Sequence, residues 1–321
     1  IRDVERSRGL GDVYKRQYRH LEYNKDKAEL LGFKNGKLES YETLRLFVKI
    51  SLEDVCELLF DLIVYELKRI SEQEGQTFAE RVAEDATELP ALKHDKEAHY
   101  SGYYKLYGYK ADVVVDLDDS TYPLSRQYTG INESEDKCLK YHFLNLSLLD
   151  IHPKEWKGDM KYPTYDNISY LESRGTHLIY DIPKDWVYQE CGEEYNIKKQ
   201  YQKFHREDDF RIHLSLNQQL KYLEKKGKTK VVGSYYRNKQ MNKKEQQPDI
   251  FSDEIHERSG KMEGFYGYEK TTTSLAGRPP KRGFDAMRKH TDLGLMGLLF
   301  AALVRVQNGV FHRKGCTKYL V

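Results

Sequence analysis

Cysteine is scarce and scattered. Cys56, Cys138, Cys191 and Cys316 are the four in 321 residues, and no two of them form a C-x-x-C pair. That spacing argues against a cysteine-built zinc site and against a disulfide framework, and it makes a reducing cytoplasm the default compartment. Long apolar runs are lacking as well. The longest, 293–304, is too short to span a bilayer and reads as a buried core helix. No secretory signal pattern is visible. The G-x-x-x-x-G-K-[ST] and G-x-S-x-G patterns are absent, and the GFYGY stretch at 264–268 lacks the spacing of a dinucleotide-binding loop. Nucleoside-triphosphatase and serine-hydrolase chemistry therefore have no motif support. There is no internal repeat and no long low-complexity tract.

An initial methionine is missing too. Residues 1–17, IRDVERSRGLGDVYKRQ, resemble translated sequencing-adapter read-through. They are expected to be a non-native tail, with the true N-terminus lost upstream, and are set aside from fold reasoning.

Charge and aromatic rings are plentiful. Charged residues make up 32% of the chain and aromatics 12%, including 26 tyrosines, and the mean hydropathy is −0.81. This is the composition of a water-soluble protein with enough ring area for a packed core. Tyrosine also suits a surface that touches sugar and base. The net charge of +2 conceals an uneven distribution. Residues 51–97 carry 13 acids against 5 bases, 196–245 carry 14 bases against 5 acids, and 261–321 carry 11 bases against 4 acids. A basic C-terminal half fits a polyanion such as DNA.

Periodicity then sets out the elements. Ser51 and Asp54 form a capping pattern ahead of an apolar helical repeat, so 52–74 reads as a helix stopped by Gly75. Strands are expected at 78–84, 109–116, 122–129, 152–158 and 176–182, with Asp118, Asp119 and Ser120 turning a hairpin. Helices are expected at 131–146, capped by Asn132, and at 164–174, stopped by Gly175. The alternation describes a mixed α/β domain. Asp85 and Asp159 both fall at the expected carboxyl ends of strands, where open α/β sheets gather ligands. Residues 183–250 interrupt the pattern as a basic insertion, with a helix near 215–225 and a strand at 230–233. A helix over 251–270 follows, then a basic turn at 278–283 and a last helix at 284–307. The organisation expected is a tail at 1–17, a helical region at 18–76, a catalytic core at 77–275 and a C-terminal helical region at 276–321.

The helix at 251–270 concentrates the chemistry. Glu263, Lys270 and His256 are spaced seven residues apart and so share a face. Phosphodiester chemistry on DNA is well served by two divalent cations about 3.5–4 Å apart. Magnesium takes one or two carboxylates and keeps waters or substrate phosphate as its other ligands. Three carboxylates from distant stretches suffice, and clustered acids repel until a cation enters.

The order of AEDATELPA, KLYGYKADVVVD, YPLSRQYTGINESE and GDMKYPTYDNISYLESRGTHLIYDIPKDW resembles bacterial and archaeal insertion-sequence transposases of the DDE class. In that family the first aspartate lies in D-x-T, matched by Asp85 and Thr87, with a G-Y-K strand after it, matched by Gly108, Tyr109 and Lys110. The second lies in D-x-x-Y, matched by Asp159 and Tyr162. The glutamate lies on a helix with six residues between it and a lysine, matched by Glu263 and Lys270. The resemblance covers roughly 81–309. It implies an RNase H-like mixed sheet flanked by helices, with the basic insertion placed before the glutamate-bearing helix. It implies two Mg2+ or Mn2+ ions held by Asp85, Asp159 and Glu263, hydrolysis at a transposon end, and attack of the freed 3′-hydroxyl on target DNA. Lys270 would contact phosphate, and a homodimer on paired DNA ends is the implied assembly.

The match has departures. The family's arginine lies four residues before the glutamate, where this chain has Ser259, and its tyrosine lies three further back, where this chain has His256. Arg258 and Lys261 are the candidate substitutes. Arg278, Lys281 and Arg282 read either as a phosphate clamp or as a solvated turn. Asp116, ending the strongest expected strand, rivals Asp85 for the first position. Tyr162 reads as packing, as do Tyr235 and Tyr236, with base stacking as their alternative. An inactive DNA-binding remnant and an RNase H-like nuclease without strand transfer stand as the other functional readings.

Overall fold

The computed structural model describes residues 22, 23, 25, 37, 40, 42, 52–118, 121–205, 214–272 and 282–309. The 1–17 tail, the Ser51 cap, the Asp119–Ser120 turn, Arg278 and Lys281 lie outside them. The chain forms α1 (Leu52–Gln73), β1 (Arg81–Pro90), β2 (His99–Ser101), β3 (Leu106–Asp116), β4 (Pro123–Gly130), α2 (Cys138–Leu148), β5 (Glu155–Lys157), α3 (Tyr165–Glu172) and β6 (His177–Ile179). A helical run follows: α4 (Glu194–His205), α5 (Leu216–Lys225), α6 (Thr229–Gln246), α7 (Pro248–Thr272) and α8 (Phe284–Gln307).

The sheet is mixed. Its order is β2-β3-β1-β5-β6, with β4 also paired to β3. Strands β1, β3 and β4 are antiparallel neighbours, whereas β5 and β6 run parallel to β1. The crossover from β5 to β6 carries α3, as a parallel connection requires. The result is a mixed α/β architecture with helices packed on the sheet.

Strand alternation divides the chemistry between the two faces of this sheet. Glu84 pairs across from Val114 and Ala86 across from Asp112, and Val114 pairs with Ser125. Glu84, Asp112 and Ser125 therefore share one face, which α2 and α3 cover through Phe143 and Tyr170, packed on each other and on Trp156 of β5. Asp85 pairs with Val113 and Val113 with Arg126, which sets them on the opposite face, beneath α1, α7 and α8. There Arg126 lies over the Phe60 ring and pairs with Asp292.

Ion pairs fasten α7 to that second face. Arg81 bonds Asp118 at 2.9 Å and Glu257 at 3.1 Å. The buried Lys157 meets Glu257 at 2.5 Å. The core itself runs continuously from α1 through the sheet to α7 and α8, and Ile197, Tyr201, Leu220, Leu223 and Val232 form a smaller core inside the insertion. Tyr235 and Tyr236 pack against that smaller core. The insertion meets the sheet layer where α6 crosses α3. Gly233 permits that approach, because a Cβ there would sit 2.6 Å from the Tyr165 carbonyl oxygen.

Several boundaries differ from the sequence reading. The strand expected at 78–84 begins at Arg81 and continues through Asp85 to Pro90. Asp85 is therefore mid-strand, because each residue after it finds a partner on the long β3. The helix expected from 131 begins at Cys138 after a 3-10 turn at Glu135–Lys137, so Asn132 is not its cap. The strand expected at 230–233 is part of α6. Two adjacent valines there are outweighed by flanking lysine, arginine, glutamine and methionine that favour helix, and by packing on α3. Other elements fall as expected. Gly75 and Gly175 end their helices at φ of 70° and 91°, and α8 spans 284–307; Thr164 caps α3 and Ser215 caps α5 with a full capping box, caps that the sequence reading did not assign.

Candidate functional site

The two sequence-assigned aspartates meet beside α7. Asp85 projects from the middle of β1, and Asp159 follows the adjacent parallel β5 by two residues. Arg258 of α7 reaches both: one guanidinium nitrogen lies 3.4 Å from Asp85 Oδ2 and the other 3.9 Å from Asp159 Oδ1. Both carboxylates thus lie within the span of one guanidinium. Their side chains are 29% and 32% exposed, so the pair opens to solvent. Burial pushes the Asp85 carboxyl up to about 6. Arg258 and the Ala86 amide pull it down, while the charges of Asp159 and Asp112 push it up. Such a carboxyl is poised to favour an added cation.

Helix α7 also caps this site with Tyr266, whose hydroxyl donates to the Asp85 carbonyl oxygen at 2.5 Å. Glu263 is exposed and Met262 before it is buried. At about 100° per residue, Glu263 stands about 60° around the helix from Tyr266 and about 20° from Lys270. It also stands about 140° from Arg258, outside the face of α7 that meets the two aspartates, and among the described residues no hydrogen bond or ion pair joins it to either of them. Lys270 lies 3.5 Å from Glu88 of β1, and Lys261 donates to the Leu117 carbonyl oxygen at 2.6 Å. His256 is exposed, beside Ser252 at 3.1 Å. Arg282 is exposed ahead of α8. Asp116, the rival to Asp85, is buried and accepts the Asp118 amide in its own turn.

The donor set at Asp85 and Asp159 is hard oxygen, which suits magnesium or manganese. The fit has one condition: the Arg258 guanidinium, which bridges the carboxylates, must release them.

A second cluster lies directly behind Asp85, on the other face of β1. Ligand atoms of Glu84, Asp112 and His142, all fully buried, lie within 4.8 Å of one another, a geometry able to hold a metal ion. His142 Nε2 is 3.4 Å from Asp112 Oδ1 and 3.9 Å from Glu84 Oε1. Each side chain is anchored through its other polar atom: Trp156 Nε1 donates to Glu84 Oε2 at 2.7 Å, Tyr162 donates to Asp112 Oδ2 at 2.7 Å, and His142 Nδ1 meets Ser125 Oγ at 2.8 Å. Burial, followed by the charge of Asp112, holds the Glu84 carboxyl well above the usual range. Burial also raises Asp112, with His142 and Tyr162 opposing.

Sequence reading passed over this cluster, although signals were present. An aspartate inside the apolar run ADVVVD, and a histidine on the apolar stripe of Leu139, Phe143 and Leu146, both mark polar groups carried inside. Adjacent Glu84 and Asp85 on one strand must point to opposite faces.

No family model matches the chain, and neither curated proteins nor solved structures yield a match.

Proposed function

We propose that the chain is a metal-dependent DNA transposase of the DDE class, acting by phosphodiester hydrolysis and strand transfer. The observation that carries this reading is the meeting of Asp85 and Asp159 through Arg258, from strands adjacent in the sheet. A strand order of three antiparallel strands joined to two parallel ones supports the finer assignment of an RNase H-like sheet. In this reading Asp85 and Asp159 would hold Mg2+ or Mn2+, and Glu263, the third ligand that the resemblance implies, would join them only on a rearrangement of α7. A divalent ion there supplies Lewis-acid stabilisation of charge developing on the phosphate. Tyr266 holds the backbone at Asp85, and Lys270 exchanges Glu88 for a DNA phosphate. The basic stretches 196–245 and 261–321 carry non-specific affinity for the DNA backbone.

Arg258 also favours a second reading. A guanidinium neutralising both aspartates is what an inactive DNA-binding remnant would retain once its metal function was lost.

One assay separates these readings. The full chain is incubated with a labelled duplex bearing a recessed 3′-hydroxyl, a supercoiled plasmid and Mg2+ or Mn2+. Joined product that Asp159→Ala reduces by about 10²–10³-fold or more is the expected outcome. Cutting without joining assigns a nuclease. DNA binding with no product, unchanged by Asp159→Ala, assigns the remnant. Failure to bind DNA at all rejects the whole proposal.

A further inference from the structure

We propose that Glu84, Asp112 and His142 form a closed structural site for a first-row transition dication, with zinc its best occupant, on the sealed side of β1. This inference stands apart from the transposase reading, since it concerns the opposite face of the strand.

Three observations carry it. First, Glu84 Oε1, Asp112 Oδ1 and His142 Nε2 are buried polar atoms with no hydrogen-bond partner among the described residues, and all three converge. Orphaned polar atoms of this kind are rare, and each calls for a physical account. Three pointing at one spot share a single account if an ion sits among them. Second, the spacing is wrong for direct bonding. Charge-assisted hydrogen bonds run about 2.7–2.9 Å, whereas the histidine nitrogen stands 3.4 and 3.9 Å from the two carboxylate oxygens. Bonds of about 2.0–2.2 Å to a tetrahedral ion set ligand atoms about 3.3–3.6 Å apart. One separation lies within that range. Rotation of the Glu84 carboxylate about its broad terminal torsion brings in the other.

Third, the outer atoms are already committed. Trp156, Tyr162 and Ser125 each take the far atom of one ligand. This is the arrangement in which second-shell partners fix the orientation of metal ligands. A neutral histidine, two carboxylates and one dication also sum to zero charge, which a fully buried site needs. Imidazole with carboxylate favours zinc over magnesium, which prefers oxygen alone. Cys138 begins α2 one turn before His142 on the same face. It is buried, but its thiol is not among the ligand atoms that converge and a thiolate would leave the site negatively charged, so the fourth position falls to a water.

The test uses the full chain, purified without chelator and measured by inductively coupled plasma mass spectrometry, then stripped and titrated with zinc against a chromophoric chelator. The expected result is about one zinc per chain, kept by the Asp85→Asn/Asp159→Asn double variant. Glu84→Gln, which retains an oxygen for Trp156, is expected to weaken zinc binding by more than about 100-fold, as is His142→Ala. Zinc absent from the wild type, or unaffected by these variants, or lost instead with the Asp85/Asp159 double variant, overturns the proposal. Should the variants fail to fold, the cobalt-loaded wild type decides. Intense tetrahedral visible bands support the site, and their absence rejects it.

Discussion

Glu84 and Asp85 are neighbours on one strand, yet they live in opposite surroundings. Asp85 opens to solvent, shares a guanidinium with Asp159 and is overlooked by a helix rich in charge. Glu84 is sealed beneath α2 and α3, bound to an indole and faced by a histidine and a second acid. The difference shows how one strand serves two tasks. Strand alternation sends one carboxylate to each face, and the layer above decides whether it can exchange ligands or must be permanently satisfied.

The largest effect is expected where the Asp85 face is itself closed, two strands away. Arg126 and Asp292 are both buried there, and Tyr128 also donates to Asp292. Asp292→Ala leaves a buried guanidinium unpaired and should cost about 3–5 kcal/mol of unfolding free energy, measured by urea denaturation. A loss below about 1 kcal/mol would mean that water reaches this pair and that the face is open throughout.

The next prediction concerns the open face. Burial pushes the Asp85 carboxyl up to about 6, above the usual carboxylate range, so the folded state binds the proton more tightly than the unfolded one. Its contribution is present below about pH 4 and is lost as pH rises through about 6. In metal-free protein that loss should amount to about 2–3 kcal/mol. Asp85→Asn should flatten the pH profile and raise stability at neutral pH. A profile unchanged by Asp85→Asn would show that Asp85 does not carry the slope.

A smaller effect separates the sealed face from the open one. Trp156→Phe removes the donor to Glu84 while keeping an aromatic ring, and should cost about 1–3 kcal/mol through the unmet carboxylate oxygen and the smaller ring. The loss should grow when zinc is withheld. A neutral outcome under both conditions would mean that Glu84 finds another partner.

Smallest is the cap of α3, which positions the segment after Asp159. Thr164 accepts the Asn167 amide, so Thr164→Ala should cost about 1 kcal/mol in a thermal melt, leaving the DNA binding proposed above intact. A large fall in DNA affinity would place this turn in the interface.

Legibility followed range. Helices α1, α3 and α5, strand β3 and the limits of α8 could be read because their signals are local: an apolar repeat, a β-branched run, a glycine stop. Asp159 was placed correctly just beyond a strand for the same reason. The end of β1 was misjudged because nothing in D-A-T-E-L announces that β3 extends far enough to pair it. The segment 230–233 was misjudged because two valines carry strand propensity, whereas the crossing over α3 at Gly233 is not local.

What the sequence by itself determined was therefore the inventory: which stretches can be helix or strand, and where the positive charge collects. What only the tertiary structure decided was adjacency. Arg258 meets Asp85 across 173 positions of sequence, and Glu84 meets Trp156 across 72. Propensity acts over a few residues, but register, strand order and the helix laid over each face depend on the whole chain folding together. The same sequence-adjacent pair of acids became an open carboxylate on one side and a sealed one on the other for that reason.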